Sequence, residues 1–386
     1  MLHCIQTARR SLGPKRKQLP SRRRFTIDRD AARAGETDAM TNALTPIAPR
    51  PRVALALQGG GAHGAYGWGV LERLLDEDIE IVAVSGASAG ALNGCALVAG
   101  LAEGGRDAAR TGLERLWRTV SRASPLQAFD VEWGGPLFEP WFRRSLEVSK
   151  LLGRYIAPFA PHIRDMRALR RVVSSSIDLS ALTRPAALPL YIAATRVSNG
   201  AARLFDNAEI DLDAIMASAC LPDLFAAVEI DGEDYWDGGF SANPALEPLI
   251  FDGHGATDLL IVQITPFAVD DVSSTLTGVM ARMSDIGFNA CLLRDLKALT
   301  QVQEIARSAE SHDPGMRALA TTNLHMMAAA PALSQRGAAS KIDTRWSRIE
   351  ELRELGRATA EAWLADHRGE FGRSSTLTDL PDAEAA

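Results

Sequence analysis

Ser88 stands in the middle of Gly86-Ala87-Ser88-Ala89-Gly90. A G-x-S-x-G turn between a strand and a helix is so sharp that only small residues fit beside the serine, and it lifts the hydroxyl to the top of the sheet. The helix that follows presents the positive end of its dipole, which favours developing negative charge. A plain N-cap serine would occupy the same position. The flanking elements favour a nucleophile, because the apolar run "IEIVAVSG" ends at the turn and "AGALNGCALVAGL" begins a buried helix at once. Attack of a serine on a carbonyl needs a base and donors for the oxyanion.

The donors are sought in "LALQGGGAHGAYGWG", Leu55 to Gly69. Its core is Gly59, Gly60, Gly61, Ala62, His63 and Gly64, in which the amides of Gly60 and Gly61 are unobstructed and could point at an oxygen above Ser88. Gly59, Gly61 and Gly64 also satisfy the G-x-G-x-x-G of a dinucleotide-binding turn, which wants an acid at the end of the next strand. Here that strand ends in Val84-Ser85-Gly86, without a carboxylate, so the oxyanion reading is favoured over a nucleotide.

Two residue types compete as the base. His63 lies in the glycine loop and invites a Ser-His-Asp triad, whereas His254, His312 and His325 have no turn context that singles them out. Asp237 directly precedes Gly238 and Gly239 in "DYWDGGFSANP", where a carboxylate on a tight turn can approach another backbone closely. An ordinary Asp-Gly turn would read the same way. Acids and histidines never cluster at metal-ligand spacing, so no metal is expected.

The elements that must hold these residues alternate. "RVALALQ" reads as a strand and "AYGWGVLERLLDED" as a helix, followed by the strand and helix around Ser88. This order predicts an α/β fold with a central, mostly parallel sheet sandwiched by helices. Further strands are expected at "LPLYIAATR", "ARLFD", "AVEIDG" and "DLLIVQITPF". The stretch around 106–187, rich in Trp, Pro and Arg and containing Trp117, Trp133 and Trp141, reads as a helical insertion that could cap the site. Residues 273–311 carry Leu276, Val279, Met280, Met283, Leu292, Leu293, Leu296 and Leu299 at helical spacing. This Met-rich face is expected to be core rather than lipid-binding surface.

The whole chain narrows the function further. Its 386 residues are 46% hydrophobic and 23% charged, an ordinary globular composition, and a net charge of -6 gives no reason to expect a nucleic-acid partner. Cys4, Cys95, Cys220 and Cys291 are too few and too scattered for a disulfide framework and read as buried free thiols, consistent with a cytoplasmic location. No uninterrupted apolar run approaches the ~20 residues of a bilayer span, so any membrane contact is expected to be peripheral. Met1 to Ile27 carries eight Lys or Arg and no acid, without the apolar segment of a secretory signal.

Taken together, the glycine loop "GGGAHG", the turn "GASAG" and the "DGG" of Asp237, Gly238 and Gly239, in that order, resemble the patatin-like phospholipase family. "ASACLPDLFAAVEIDGEDYWDGG" is similar to the helix, proline turn and hairpin that precede the family's aspartate, and the resemblance spans about Arg52 to Thr265. It implies a three-layer architecture related to the α/β-hydrolases and a Ser-Asp dyad rather than a triad. Ser88 would attack a fatty-acyl ester, Asp237 would take the proton, and Gly60 and Gly61 would hold the oxyanion. Water activated by Asp237 would then release the fatty acid from the acyl-enzyme. The implied substrate is a phospholipid or related lipid, with no cofactor. The family often has Arg or Lys where this chain has His63, which points to a less phosphate-dependent substrate. The competing readings are an esterase or thioesterase acting on soluble acyl compounds or a storage polyester, and a non-catalytic scaffold with Ser88 as a cap.

The expected organisation is a basic, disordered segment over 1–50, a catalytic domain over 51–270 with the insertion around 106–187, a helical region over 271–370 packing on that domain, and a disordered tail over 371–386.

Overall fold

Arg52–Leu57 forms β1, and five of its six residues are buried. A strand buried on both sides must be covered by two layers, and its alternating side chains divide between them. Val53, Leu55 and Leu57 enter one apolar cluster, while Ala54 and Ala56 enter another on the opposite face. The structure, a computed structural model, describes residues 50–123, 166–269, 274–309, 311–329, 331–334, 338–377 and 380. These lie in one compact unit, Pro49–Ala386.

The remaining strands are β2 (Glu80–Ala87), β3 (Leu190–Arg196), β4 (Ala202–Phe205), β5 (Val228–Ile230), β6 (Glu233–Asp237), β7 (Asp258–Val262) and β8 (Asn323–Met327). They form one sheet in the order β5-β6-β3-β2-β1-β7-β8, with β4 also paired to β3. Pairing is parallel from β3 through β2, β1 and β7 to β8, and antiparallel where β4 and β6 meet β3 and β5 meets β6. The helices are α1 (Gly64–Leu74), α2 (Ala89–Arg122), α3 (Arg167–Ser176), α4 (Leu212–Ser218), α5 (Glu247–Phe251), α6 (Leu276–Ser308), α7 (Pro314–Thr321), α8 (Pro331–Ser334) and α9 (Trp346–His367). Residues of α1, α2, α4 and α9 join Val53, Leu55 and Leu57 on one face, and residues of α5, α6 and α7 join Ala54 and Ala56 on the other. The fold is thus an α/β sandwich around a mixed, mostly parallel sheet.

Four details depart from the sequence reading or add to it. β8 lies in a stretch that reads as helical; "NLHMM" has no β-branched residue, and its strand conformation comes from pairing along all five positions of β7. The helix α2 is bent at Gly104 and Gly105, whose backbone angles are not helical. The tail is held through 377 rather than disordered from 371: Phe371 is buried, and the Thr376 and Leu377 amides both donate to the Leu324 carbonyl at 3.0 Å. The apolar side of α6 does not all enter the core. Leu292 and Leu296 are buried, but Leu276, Val279 and Met283, which belong to the expected core face, are exposed together with Ile286.

Of the Trp-rich insertion, Trp117 is buried and donates to Asn93 Oδ1 at 2.9 Å. Trp133, Trp141 and any cap built from residues 124–165, like the basic segment up to residue 49, lie outside the described residues. Among the described residues, no helix is long and apolar enough to cross a membrane.

Candidate active site

Parallel strands end together, so the loops after β1 and β2 share one rim of the sheet. At the end of β1, Gln58 is buried and fixes that rim. Its Oε1 accepts from the amides of Ile264 (2.7 Å) and Thr265 (2.8 Å), and its Nε2 donates to Asn289 Oδ1 on α6 (2.9 Å). The glycine loop follows directly.

Ser88 follows β2 with φ 53 and ψ -124, a left-handed conformation that non-glycine residues rarely adopt. Its N–H donates to Ser218 Oγ at the end of α4 (3.1 Å), and its carbonyl accepts from Leu92 in the first turn of α2 (3.1 Å). The turn brings α2 hard against β1: a Cβ on Gly90 would lie 2.1 Å from the Leu57 carbonyl oxygen. Glycine is required at that position by backbone contact alone.

Asp237 reaches the same place from the antiparallel side. Ala87 of β2 pairs with Ala193 of β3, and Ala194 pairs with Asp237 at the end of β6, so a single strand separates the two residues. The turn after Asp237 lies on that strand, with a Cβ on Gly238 falling 2.1 Å from the Ala193 carbonyl oxygen. The backbone of Asp237 is tied on both sides: its N–H donates to the Cys220 carbonyl (2.8 Å), and its carbonyl accepts from Thr195 Oγ1 (2.7 Å).

The Asp237 side chain is completely buried. Its Oδ1 accepts from the Gly239 N–H at 2.8 Å, while Oδ2 has no hydrogen-bond partner. Burial pushes its pKa up from 3.8 to about 7, against the opposing influence of the Ser88 hydroxyl and the Gly239 N–H. Ser88 is thus near enough for its hydroxyl to favour the charged form of the carboxyl.

The glycine loop divides its amides. The Gly59 N–H is taken by Asn243 Oδ1 (2.7 Å), the His63 N–H donates to the Gly60 carbonyl (3.3 Å), and the Gly64 N–H closes the short 3-10 turn Gly61–His63. The amides of Gly60 and Gly61 donate to no group among the described residues. Ala62 and His63 are buried in the turn, and Gly64 begins α1. The amides of Gly59, His63 and Gly64 are thus already bonded within the protein.

Of the four candidate histidines, three are bonded elsewhere. His63 Nε2 meets Ser340 Oγ at 2.8 Å, His254 Nε2 meets the Tyr191 hydroxyl at 3.0 Å, His325 is buried against Asp258 at 2.9 Å, and His312 is exposed. Asp237 is a titratable group whose protonation the Ser88 hydroxyl influences. Among the described residues, no group of three or more His, Cys, Asp or Glu is placed to hold a metal ion.

Several residues that complete the site were not singled out in the sequence. Asn243 joins the two loops, accepting from Gly59 and donating from Nδ2 to the Phe288 carbonyl (3.1 Å). Ser218, Thr195 and Gln58 hold Ser88, Asp237 and the start of the glycine loop. Only Asn243 carried a local signal, the Asn-Pro pair just beyond the Asp-Gly-Gly turn.

The patatin-like phospholipase family model matches residues 55–250, a span that contains the glycine loop, Ser88 and Asp237. Among solved structures, the chain is similar to VipD from Legionella pneumophila, with 14% identity and a TM-score of 0.37 over 81% of this chain and 67% of VipD. No curated protein matches the sequence. The family match covers half of the chain, and the chain belongs to the patatin-like phospholipases, a family of lipid acyl hydrolases.

Proposed function

We propose that the protein is a serine lipid acyl hydrolase that cleaves fatty-acyl esters of phospholipids or related lipids with a Ser88-Asp237 dyad. The observation that carries this reading is the fully buried Asp237 carboxyl, with Oδ2 unpartnered and the Ser88 hydroxyl near enough to bear on its protonation. An ordinary aspartate is a poor base at neutral pH, and one pushed up to about 7 is matched to the task.

In this mechanism Ser88 Oγ attacks the ester carbonyl carbon as its proton passes to Asp237 Oδ2. The carbonyl oxygen becomes an oxyanion held by the Gly60 and Gly61 amides, each such donor being worth about 3 kcal/mol to the transition state. Collapse breaks the ester bond, and the departing alkoxide takes the proton from Asp237, leaving the acyl group on Ser88. A water then gives its proton to Asp237 and attacks the acyl carbon. Release of the fatty acid returns that proton to Ser88.

The left-handed backbone at Ser88 argues against a mere helix cap, because a capping serine adopts ordinary extended angles and gains nothing from strain. The test is fatty-acid release from phospholipid vesicles and turnover of a short p-nitrophenyl ester. Both are expected of the wild type and absent in Ser88→Ala; release that persists in Ser88→Ala would refute the assignment of the nucleophile.

A further inference from the structure

The N-terminal half of α6 is inside out. Leu276, Val279, Met283 and Ile286 are 60%, 41%, 67% and 53% exposed, and their spacing puts them on one stripe about 15 Å long. The other exposed positions from Leu276 to Ala290 with described side chains are small and uncharged. The two charged residues of the same stretch are turned inward. Arg282 Nη2 donates to the Phe267 carbonyl at 3.0 Å, and Asp285 pairs with Lys341. On a helix that faces only water, charges point outward and apolar residues inward.

This stripe runs into the candidate active site. Two residues beyond Ile286, Phe288 stacks edge-on against Phe240 with ring centroids 4.8 Å apart, and Phe240 is itself exposed, three residues after Asp237. The same turn of α6 is fastened to the catalytic loops. Asn289 bonds Gln58, the Phe288 carbonyl accepts from Asn243, and Cys291 Sγ donates to the Phe240 carbonyl at 3.2 Å. The apolar face therefore has a fixed position relative to Ser88 and Asp237.

We infer that the Leu276-Val279-Met283-Ile286 face of α6, continued by Phe240, docks on the surface of a phospholipid bilayer and presents the dyad to the lipid. This rests on the lipid-hydrolase reading above. A bilayer fits the observations better than a second copy of the chain. Apolar side chains without outward charge suit the boundary between headgroups and acyl chains. A bilayer also brings substrate to the rim at Phe240, which a protein partner seated there would cover.

The test replaces two outward residues, Met283→Glu with Ile286→Glu, in the full chain. The control is Val302→Glu with Ile305→Glu, exposed positions of the same helix that lie among Glu304 and Arg307. Binding to phosphatidylcholine vesicles is read by co-sedimentation in the Ser88→Ala background, so that it is independent of catalysis, and turnover of a short soluble ester is read in the active background. The expected result is a loss of vesicle affinity of about tenfold or more for the 283/286 pair, from lost apolar burial and added charge at the interface. Soluble-ester turnover is expected to stay within about twofold of wild type, and the 302/305 pair to bind like wild type. Unchanged vesicle binding, or equal loss in the 302/305 pair, overturns the inference. So does a wild-type dimer that the 283/286 pair dissociates while vesicle binding persists. Absence of ester turnover in the wild type would count against the dyad and leave the binding comparison standing.

Discussion

Replacing Asp237 with asparagine tests charge at almost constant shape. The amide can keep an oxygen at Oδ1 for the Gly239 N–H, but it cannot take a proton from Ser88. Loss of a positioned general base costs about 10²- to 10⁴-fold in rate, so kcat/KM on a short ester should fall into that range or below. The same substitution has a thermodynamic signature. Asp237 is raised from 3.8 to about 7 in the folded protein, so folding favours its protonated form. That contribution to stability is complete below the unfolded value and is lost as pH rises through about 7. Each pH unit in that window is worth about 1.4 kcal/mol. The wild type should therefore lose about 3 kcal/mol, as an order of magnitude, between about pH 5 and about pH 8 from this one group. Asp237→Asn should lack that component, so its stability relative to wild type should rise by a similar amount over the window. Urea unfolding at the two pH values measures it. A variant with near-wild-type turnover, or with the wild-type pH dependence of stability, would refute the assignment of a dry, ionisable base.

Three further outcomes follow from the geometry. The pH profile of wild-type kcat/KM should show an acid limb near pH 7, activity falling as Asp237 takes up its proton; a flat profile from about pH 5 to about pH 8 would contradict it. His63→Ala should cost far less activity than Ser88→Ala, because the imidazole is bonded to Ser340; equal losses in steady-state kinetics would revive a triad. Asn243→Ala frees the Gly59 N–H and the Phe288 carbonyl in a buried site, a loss of about 1 to 3 kcal/mol in unfolding free energy. It should also lower kcat more than it raises KM, since the loop holding the Gly60 and Gly61 amides loses its tether; a KM effect alone would argue that the tether matters only to binding.

What could be read in the sequence is what depends on local backbone chemistry. The G-x-S-x-G turn and the Asp-Gly-Gly turn are fixed by glycines that admit another backbone within van der Waals range, and the parallel strands by continuous apolar runs. Side chains that reach across the fold left no such mark. Asn243 and Gly59 are joined over 184 positions, Gln58 and Asn289 over 231, and no spacing rule connects them. β8 was hidden for the same reason, its conformation being imposed by its neighbour. The outward face of α6 was misread because apolar spacing reports that a helix has a sided surface and not which side meets the protein. Only the inward bonds of Arg282 and Asp285 decide that.

The proposed chemistry rests on Ser88 as a nucleophile served by Asp237. It is tested most directly by treating the protein with a fluorophosphonate and mapping the adduct by peptide mass spectrometry. One adduct is expected, on Ser88, that forms rapidly in the wild type, is strongly slowed in Asp237→Asn and is absent in Ser88→Ala. An adduct on another residue, or equal labelling rates in wild type and Asp237→Asn, would contradict it.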